Sequence, residues 1–248
     1  MYSASISTNK LTIGYDKHVV QCDLNFALHP GEMVCMLGPN GCGKSTLLRT
    51  LAGLQPTLAG SFEIANSPLP IANSTKEASQ IALVLTERLS VENTTVHDVV
   101  AMGRYPYTSF LGGLSQQDEH IIEQALNDVG LHDTANTFFN DHSDGEKQRV
   151  LIAKALTQET PIILLDEPTA HLDLPNRIRI LQMLRRVARE KGKTILISTH
   201  ELDLAIKLSD RIMLMTPGQG VLLDTPHNLR QQDAFTAAFG MDIFNPLG

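Results

Sequence analysis

The stretch Gly38-Pro39-Asn40-Gly41-Cys42-Gly43-Lys44-Ser45 satisfies G-x-x-x-x-G-K-[ST] at every fixed position, directly after an apolar run and at the start of an amphipathic one. An apolar strand, a glycine-rich loop and a helix in that order dictate a geometry. Glycines let the chain curl until consecutive backbone N–H groups point at a β-phosphate, and the helix that follows adds its positive end. Lys44 brings a full positive charge to β- and γ-phosphates, and the Ser45 hydroxyl is a ligand suited to Mg2+. Cys42 reads as a small residue of the loop, at a place where alkylation or oxidation would disturb the site.

The rest of the chain supplies the alternation that such a loop needs around it. Apolar runs at Met33 to Leu37, Ile81 to Leu85, Ile162 to Leu165, Thr194 to Ser198 and Arg211 to Met215 are the expected strands of a largely parallel sheet. Helices are expected from Gly43 to Ala52 and from about Asn176 to Lys191; Gly53 and Gly192 suit the left-handed position just past each end. In the second, Ile178, Leu181, Leu184 and Ala188 form a stripe for the sheet. Residues 1 to 30 alternate as strands do, notably from Ile6 to Ile13, and predict a small antiparallel layer. From about Glu87 to Thr160 helical patterns occur without buried strands between them. Ser115 and Asp118 form a capping pair there, Ile121, Ile122, Ala125, Leu126 and Val129 share one helical face, and Gly130 ends it. The expected fold is α/β, one domain over 1–248. Residues 1–86 and 161–248 make the core with its antiparallel layer, and 87–160 an inserted helical subdomain.

Ile162-Ile163-Leu164-Leu165-Asp166-Glu167 is a buried strand ending in two carboxylates, at the sheet edge where open α/β folds bind ligands. The two acids divide the work: Asp166 holds the Mg2+ shell and Glu167 polarises an attacking water as general base. Such acids are also common turn formers, and it is the preceding phosphate loop that makes them telling.

Composition excludes several partners. A formal net charge of −7 argues against a nucleic-acid backbone, which is bound by clustered Lys and Arg. No stretch approaches the roughly 18 consecutive apolar residues of a membrane span. The start Met1-Tyr2-Ser3-Ala4-Ser5-Ile6 lacks a basic and then apolar leader, so a cytoplasmic chain is expected. Cys22, Cys35 and Cys42 form no CxxC pair and indicate neither a disulfide framework nor a structural zinc site.

A phosphate loop with an acidic strand end is shared by kinases, GTPases, helicases and many ATPases. The segment His142-Ser143-Asp144-Gly145-Glu146-Lys147-Gln148-Arg149 separates them. It resembles the LSGGQ signature of the ATP-binding cassette (ABC) ATPase family and, as in that family, precedes the acidic strand. Read locally, Ser143 and Glu146 form S-x-x-E, a capping box whose free N–H groups can face a γ-phosphate. Tyr15 resembles the family's aromatic contact to adenine, Ala170-His171-Leu172-Asp173 looks like its D-loop, and His200 its switch histidine at the γ-phosphate. The resemblance covers nearly the whole chain and implies the ABC ATPase fold, with ATP held by Tyr15 and the loop from Gly38 to Thr46. Lys44, Glu167 and His200 would be catalytic. It further implies a head-to-tail homodimer with each ATP between Lys44 of one copy and Ser143, Gly145 and Glu146 of the other, Asp173 lying near the partner. A transmembrane permease resting on the helical insertion and, indirectly, a substrate-binding protein complete the assembly, on the cytoplasmic face of the cell (inner) membrane.

The sequence departs from the family in two places. The signature has His142 for Leu, and Asp144 and Glu146 for Gly and Gln, while Ser143 and Gly145 stay. The Q-loop glutamine is missing: the chain reads Thr86-Glu87-Arg88, so Thr86 or Glu87 would have to approach Mg2+ or its water. For cargo, Ala101-Met102-Gly103-Arg104-Tyr105-Pro106 resembles the G-R-x-P element of iron-siderophore, haem and vitamin B12 importers. On local chemistry alone, Gly103 and Pro106 mark a helix end and a turn. A soluble ABC ATPase of DNA repair or translation is the competing reading, disfavoured by acidity and by the lack of coiled-coil insertions or a second cassette. A P-loop kinase leaves the signature unexplained.

Overall fold

A computed structural model describes residues 4–16, 18–64, 67–68 (backbone only), 80–85, 89, 91–108, 113–218 and 220–240. Within them β1 (Ile6–Tyr15), β2 (His18–Leu24), β3 (Ala27–Leu28), β5 (Ala59–Ile64) and β6 (Ser67–Pro68) form an antiparallel sheet centred on β1. The second sheet runs β11-β10-β4-β9-β8-β7, from β4 (Met33–Leu37), β7 (Ile81–Val84), β8 (Ile162–Asp166), β9 (Thr194–Ser198), β10 (Arg211–Thr216) and β11 (Gly220–Asp224). Its pairs are parallel except that of β10 with β11.

The apolar runs are continuous because the parallel sheet is covered on both faces. Cys35, Ile163, Leu165, Ile195 and Ile197 point into one core, and their neighbours Val34, Met36, Leu164 and Leu196 into another. The first core is closed by α5 (Leu174–Lys191), whose Leu181, Leu184 and Ala188 are buried and whose Ile178 packs at the margin. The second is closed by α1 (Lys44–Leu51) and the antiparallel sheet. α5 starts two residues before the expected Asn176, because Asp173 accepts a hydrogen bond from Asn176 N (3.1 Å) as N-cap and Pro175 fits a first turn. Three short helices, α6 (Leu202–Leu208), α7 (Pro226–Gln231) and α8 (Ala234–Phe239), complete the described chain. No helix among the described residues is long and apolar enough to cross a membrane.

Between β7 and β8 come α2 (Val96–Ala101), a 3-10 turn (Met102–Tyr107), α3 (Gln116–Asp128) and α4 (Asp144–Leu156). Each α-helix opens on a capping box: Thr95 with Asp98, Ser115 with Asp118, and Ser143 with Glu146. Gly103 and Pro106 do more than end a helix. Pro106 lies inside the 3-10 turn, and a Cβ on Gly103 would stand 2.1 Å from Thr157 Oγ1 and 2.2 Å from the Lys154 carbonyl oxygen. Glycine is needed for that approach to α4. The same approach buries Arg104, which donates to Asp118 Oδ1 (2.8 Å), the Thr157 carbonyl (2.8 Å) and Glu159 Oε2 (2.9 Å), over the ring of Tyr107.

Candidate functional site

β4 ends at Leu37 and α1 begins at Lys44, so the glycine loop wraps the space above the strand end. Its backbone is tightly held. A Cβ on Gly38 would stand 2.3 Å from the Met215 carbonyl oxygen, and one on Gly43, whose φ is +103°, 2.8 Å from Val20 Cγ1. Beneath the loop, buried Gln21 donates through Nε2 to the carbonyls of Cys42 and Thr216, both at 2.9 Å. Lys44 lies buried with Nζ donating to the carbonyls of Gly38 (2.8 Å) and Pro39 (3.2 Å), a lysine folded back on its own loop. Cys42 is buried, and burial pushes its thiol up against the pull of Lys44. A raised thiol disfavours the thiolate, which is the form that alkylating agents meet.

The acidic pair stands where the strand pattern put it, at the carboxyl end of β8. Ser198, opposite Asp166 on β9, donates its hydroxyl to Asp166 Oδ1 at 2.6 Å. The Glu167 N–H donates to Ser198 Oγ (2.9 Å) and to the Ser198 carbonyl (3.1 Å). Glu167 has φ +48°, the left-handed region that a non-glycine residue occupies only under constraint. Its Oε1 meets His200 Nε2 at 2.6 Å. Tyr15, Asn40, Gly41, Lys44, Ser45 and Thr46 join Glu167 and His200 around one open cleft. Tyr15 is 49% exposed, and its hydroxyl accepts from Thr46 Oγ1 (3.2 Å), tying strand β1 to α1. Ser45 is exposed at the cleft, and with Asp166 it offers the hard oxygen donors that Mg2+ prefers.

Ser143, Gly145 and Glu146 do not line that cleft. They open α4 beside a second cleft, whose lining includes Asp144, Lys147 and Gln148 of α4, Ala170 and His171, and Glu167. Ser143 Oγ accepts from the Glu146 N–H (3.4 Å) and donates to Glu146 Oε2 (2.7 Å). Gly145 is buried, and a Cβ there would meet the Asn176 side chain at 3.0 to 3.2 Å, so its small size serves packing on α5 directly after the D-loop. Asp173 is the cap of α5, and Arg177 donates to the Leu172 carbonyl (2.6 Å) while pairing with Glu201, the residue after His200. Thr86 and Glu87 lie outside the described residues.

Several of these supports escaped the sequence reading. Ser198 had a signal, a hydroxyl directly after the apolar run Ile195 to Ile197; Gln21 had another, an amide at an inward phase of β2. Asn176 and Arg177 look like ordinary polar residues of a helix start, and nothing local marks them.

Residues 22–170 match the family described as ABC transporter. The iron(3+)-hydroxamate import ATP-binding protein of Bacillus subtilis (strain 168) is 35% identical over 238 residues, 96% of this chain and 88% of that protein. The cobalamin import ATP-binding protein of Halobacterium salinarum is 35% identical over 217 residues, 88% of this chain and 54% of that protein. Among solved structures, a transporter provisionally assigned to the metal-chelate ABC type, in an inward-facing conformation, superposes with a TM-score of 0.83 at 29% identity, covering 96% of this chain and 90% of that one. A dimeric bacterial ABC transporter cassette superposes with a TM-score of 0.75 at 26% identity, covering 89% and 98%.

Proposed function

The chain belongs to the ABC transporter family, and from that premise we propose that it is the ATP-hydrolysing subunit of an importer for an iron chelate, haem or a cobalamin-type cargo. The cargo group is supported by the relatives that import iron(3+)-hydroxamate and cobalamin, together with Gly103-Arg104-Tyr105-Pro106. The subunit would sit on the cytoplasmic face of the inner membrane, against a transmembrane permease that a substrate-binding protein supplies from the other side. The net charge of −7 leaves nucleic acid out of the scheme.

One observation carries the mechanism: Lys44, Ser45, Glu167 and His200 surround one cleft, and the signature serine stands outside it. The site is completed by a second copy placed head to tail. Tyr15 stacks on the adenine, the loop N–H groups hold the β-phosphate, and Lys44 turns from the carbonyls of Gly38 and Pro39 to the β- and γ-phosphates. Ser45 and Asp166 would hold Mg2+, which neutralises charge on the phosphates. Glu167, held by His200, orients a water and takes its proton while the water oxygen bonds to the γ-phosphorus and the bond to ADP breaks. Ser143, Gly145 and Glu146 of the partner copy close over the γ-phosphate, with Asp173 at the seam. Loss of that phosphate removes the contact and lets the pair reopen, which moves the permease resting on residues 87–160.

Glu167→Gln should retain ATP binding, slow turnover by about a hundredfold or more, and trap an ATP-bound dimer visible by sedimentation. Lys44→Ala should lose nucleotide binding in equilibrium titration. Normal hydrolysis in the first variant, or normal affinity in the second, would refute the assignment.

A further inference from the structure

Gln21 pairs with Ile13 across β2 and β1 and is 1% exposed, an amide in a sheet whose inward residues Leu11, Ile13 and Leu24 are fully buried. Both hydrogens of its Nε2 are used, one on the Cys42 carbonyl and one on the Thr216 carbonyl, each at 2.9 Å. Its Oε1 is buried and has no partner among the described residues. Burying an amide with an acceptor unmet is costly, and a leucine or methionine would fill much the same volume without that cost. What an apolar side chain would not supply is the pair of donors.

Those donors act on a stretch of backbone that has little else to fix it. Gly43 lies so close to β2 that a Cβ would stand 2.8 Å from Val20 Cγ1 and 3.5 Å from Gln21 Cγ. That packing demands glycine, and glycine leaves the peptide joining Cys42 to Gly43 free to flip, because its φ of +103° and the opposite sign are open to it alike. Gly43 is also the N-cap of α1, and no side chain caps that end. In a trans peptide the C=O and the N–H point opposite ways. With the Cys42 oxygen drawn onto Gln21, the Gly43 N–H is turned away from Gln21, at the cleft that Gly41, Gly43, Lys44 and Ser45 line. The second bond of Gln21 fixes where the loop stands. A Cβ on Gly38, at the other end of the loop, would meet the Met215 carbonyl oxygen at 2.3 Å, so both ends lean on Met215 and Thr216 at the end of β10.

We propose that Gln21 is a positioning residue of the nucleotide site: by holding the Cys42 carbonyl it locks the Cys42–Gly43 peptide with its N–H turned to the β-phosphate, and through Thr216 it keys that lock to β10. The inference rests on the reading of residues 38–46 as the phosphate loop and deepens it. It makes the antiparallel sheet part of the phosphate grip, through an amide that never touches the ligand.

The test uses the full chain carrying Gln21→Met, which keeps the length of the side chain and deletes both donors. Equilibrium titration well below the melting temperature of parent and variant should show Kd for ATP and for ADP raised by about tenfold, the equivalent of one hydrogen bond to a charged group. In steady-state hydrolysis the loss should fall on KM more than on kcat. In isotopically labelled protein the Gly43 amide resonance, displaced by ADP in the parent, should be displaced less in the variant. Gln21→Asn, which draws the amide back by one methylene, should lose affinity likewise and decides the matter where the methionine variant does not fold. A lower Tm with Kd and the Gly43 response as in the parent would overturn the inference, leaving Gln21 a packing residue. Lys44→Ala separates the premise: if it retains affinity the phosphate-loop reading itself fails, whereas loss of binding there with parental affinity in both Gln21 variants sinks Gln21 alone.

Discussion

Replacing Arg104 with methionine keeps the length of the side chain and deletes its charge, which isolates what the buried guanidinium contributes. Arg104 and Asp118 are 7% and 9% exposed at their side chains, against 55% for Glu159. The Glu159 contact is thus a surface pair and is worth about 0–1 kcal/mol. The Asp118 contact is different, because stripping one partner from a buried ion pair costs about 3–5 kcal/mol. Asp118 keeps its bonds from the Ser115 hydroxyl and N–H, which puts the expected loss near the lower end, about 3 kcal/mol. For a chain of this size that lowers Tm by about 6–12 °C, at about 2–4 °C per kcal/mol. Urea denaturation and calorimetry would measure it. Arg104→Met with Asp118→Leu should recover most of the loss, since no charge then remains buried alone. A single variant that loses under about 1 kcal/mol, or a double variant no better than the single, would refute this account of the network.

Two further changes test the site and its support. Ser198→Ala removes the hydroxyl that donates to Asp166 and accepts from the Glu167 N–H; kcat should fall by about ten- to a hundredfold with ATP affinity nearly unchanged, measured by steady-state hydrolysis and nucleotide titration. Asp118 is held at about 2, down from 3.8, by the Ser115 hydroxyl first, then the Ser115 N–H and Arg104. A depressed carboxylate contributes stability that is complete above its ordinary value and is lost as the pH falls through its folded one. Ser115→Ala should therefore flatten the dependence of Tm on pH between about 4 and about 2, and an unchanged slope would count against that cause.

Periodicity made the sheet and the main helices legible because both faces of the central parallel strands are buried, so their inner positions are apolar on both sides. The phosphate loop and the acidic strand end were legible for a related reason: their chemistry is carried by residues adjacent in sequence. Supports that act across the fold were not. Ser198 reaches the acids only through the register of β9 against β8, and Asn176 meets Gly145 only once α4 lies on α5. Gly103 was read as punctuation because a close approach between two segments more than fifty residues apart leaves no local trace. The Q-loop position, Thr86 and Glu87, lies outside the described residues, and its reading stays an expectation.

Gly145 at the head of α4 packs against Asn176 in the capped first turn of α5, which joins the signature turn to the start of the next helix as one packed body. In a head-to-tail pair that body would reach both nucleotides at once, one through its serine turn and the other through the loop beside its own Glu167. Neither pocket could then be remade in private. Firing at one would be reported to the other by displacement of a shared rigid part, so two chemically separate reactions would share a single mechanical clock.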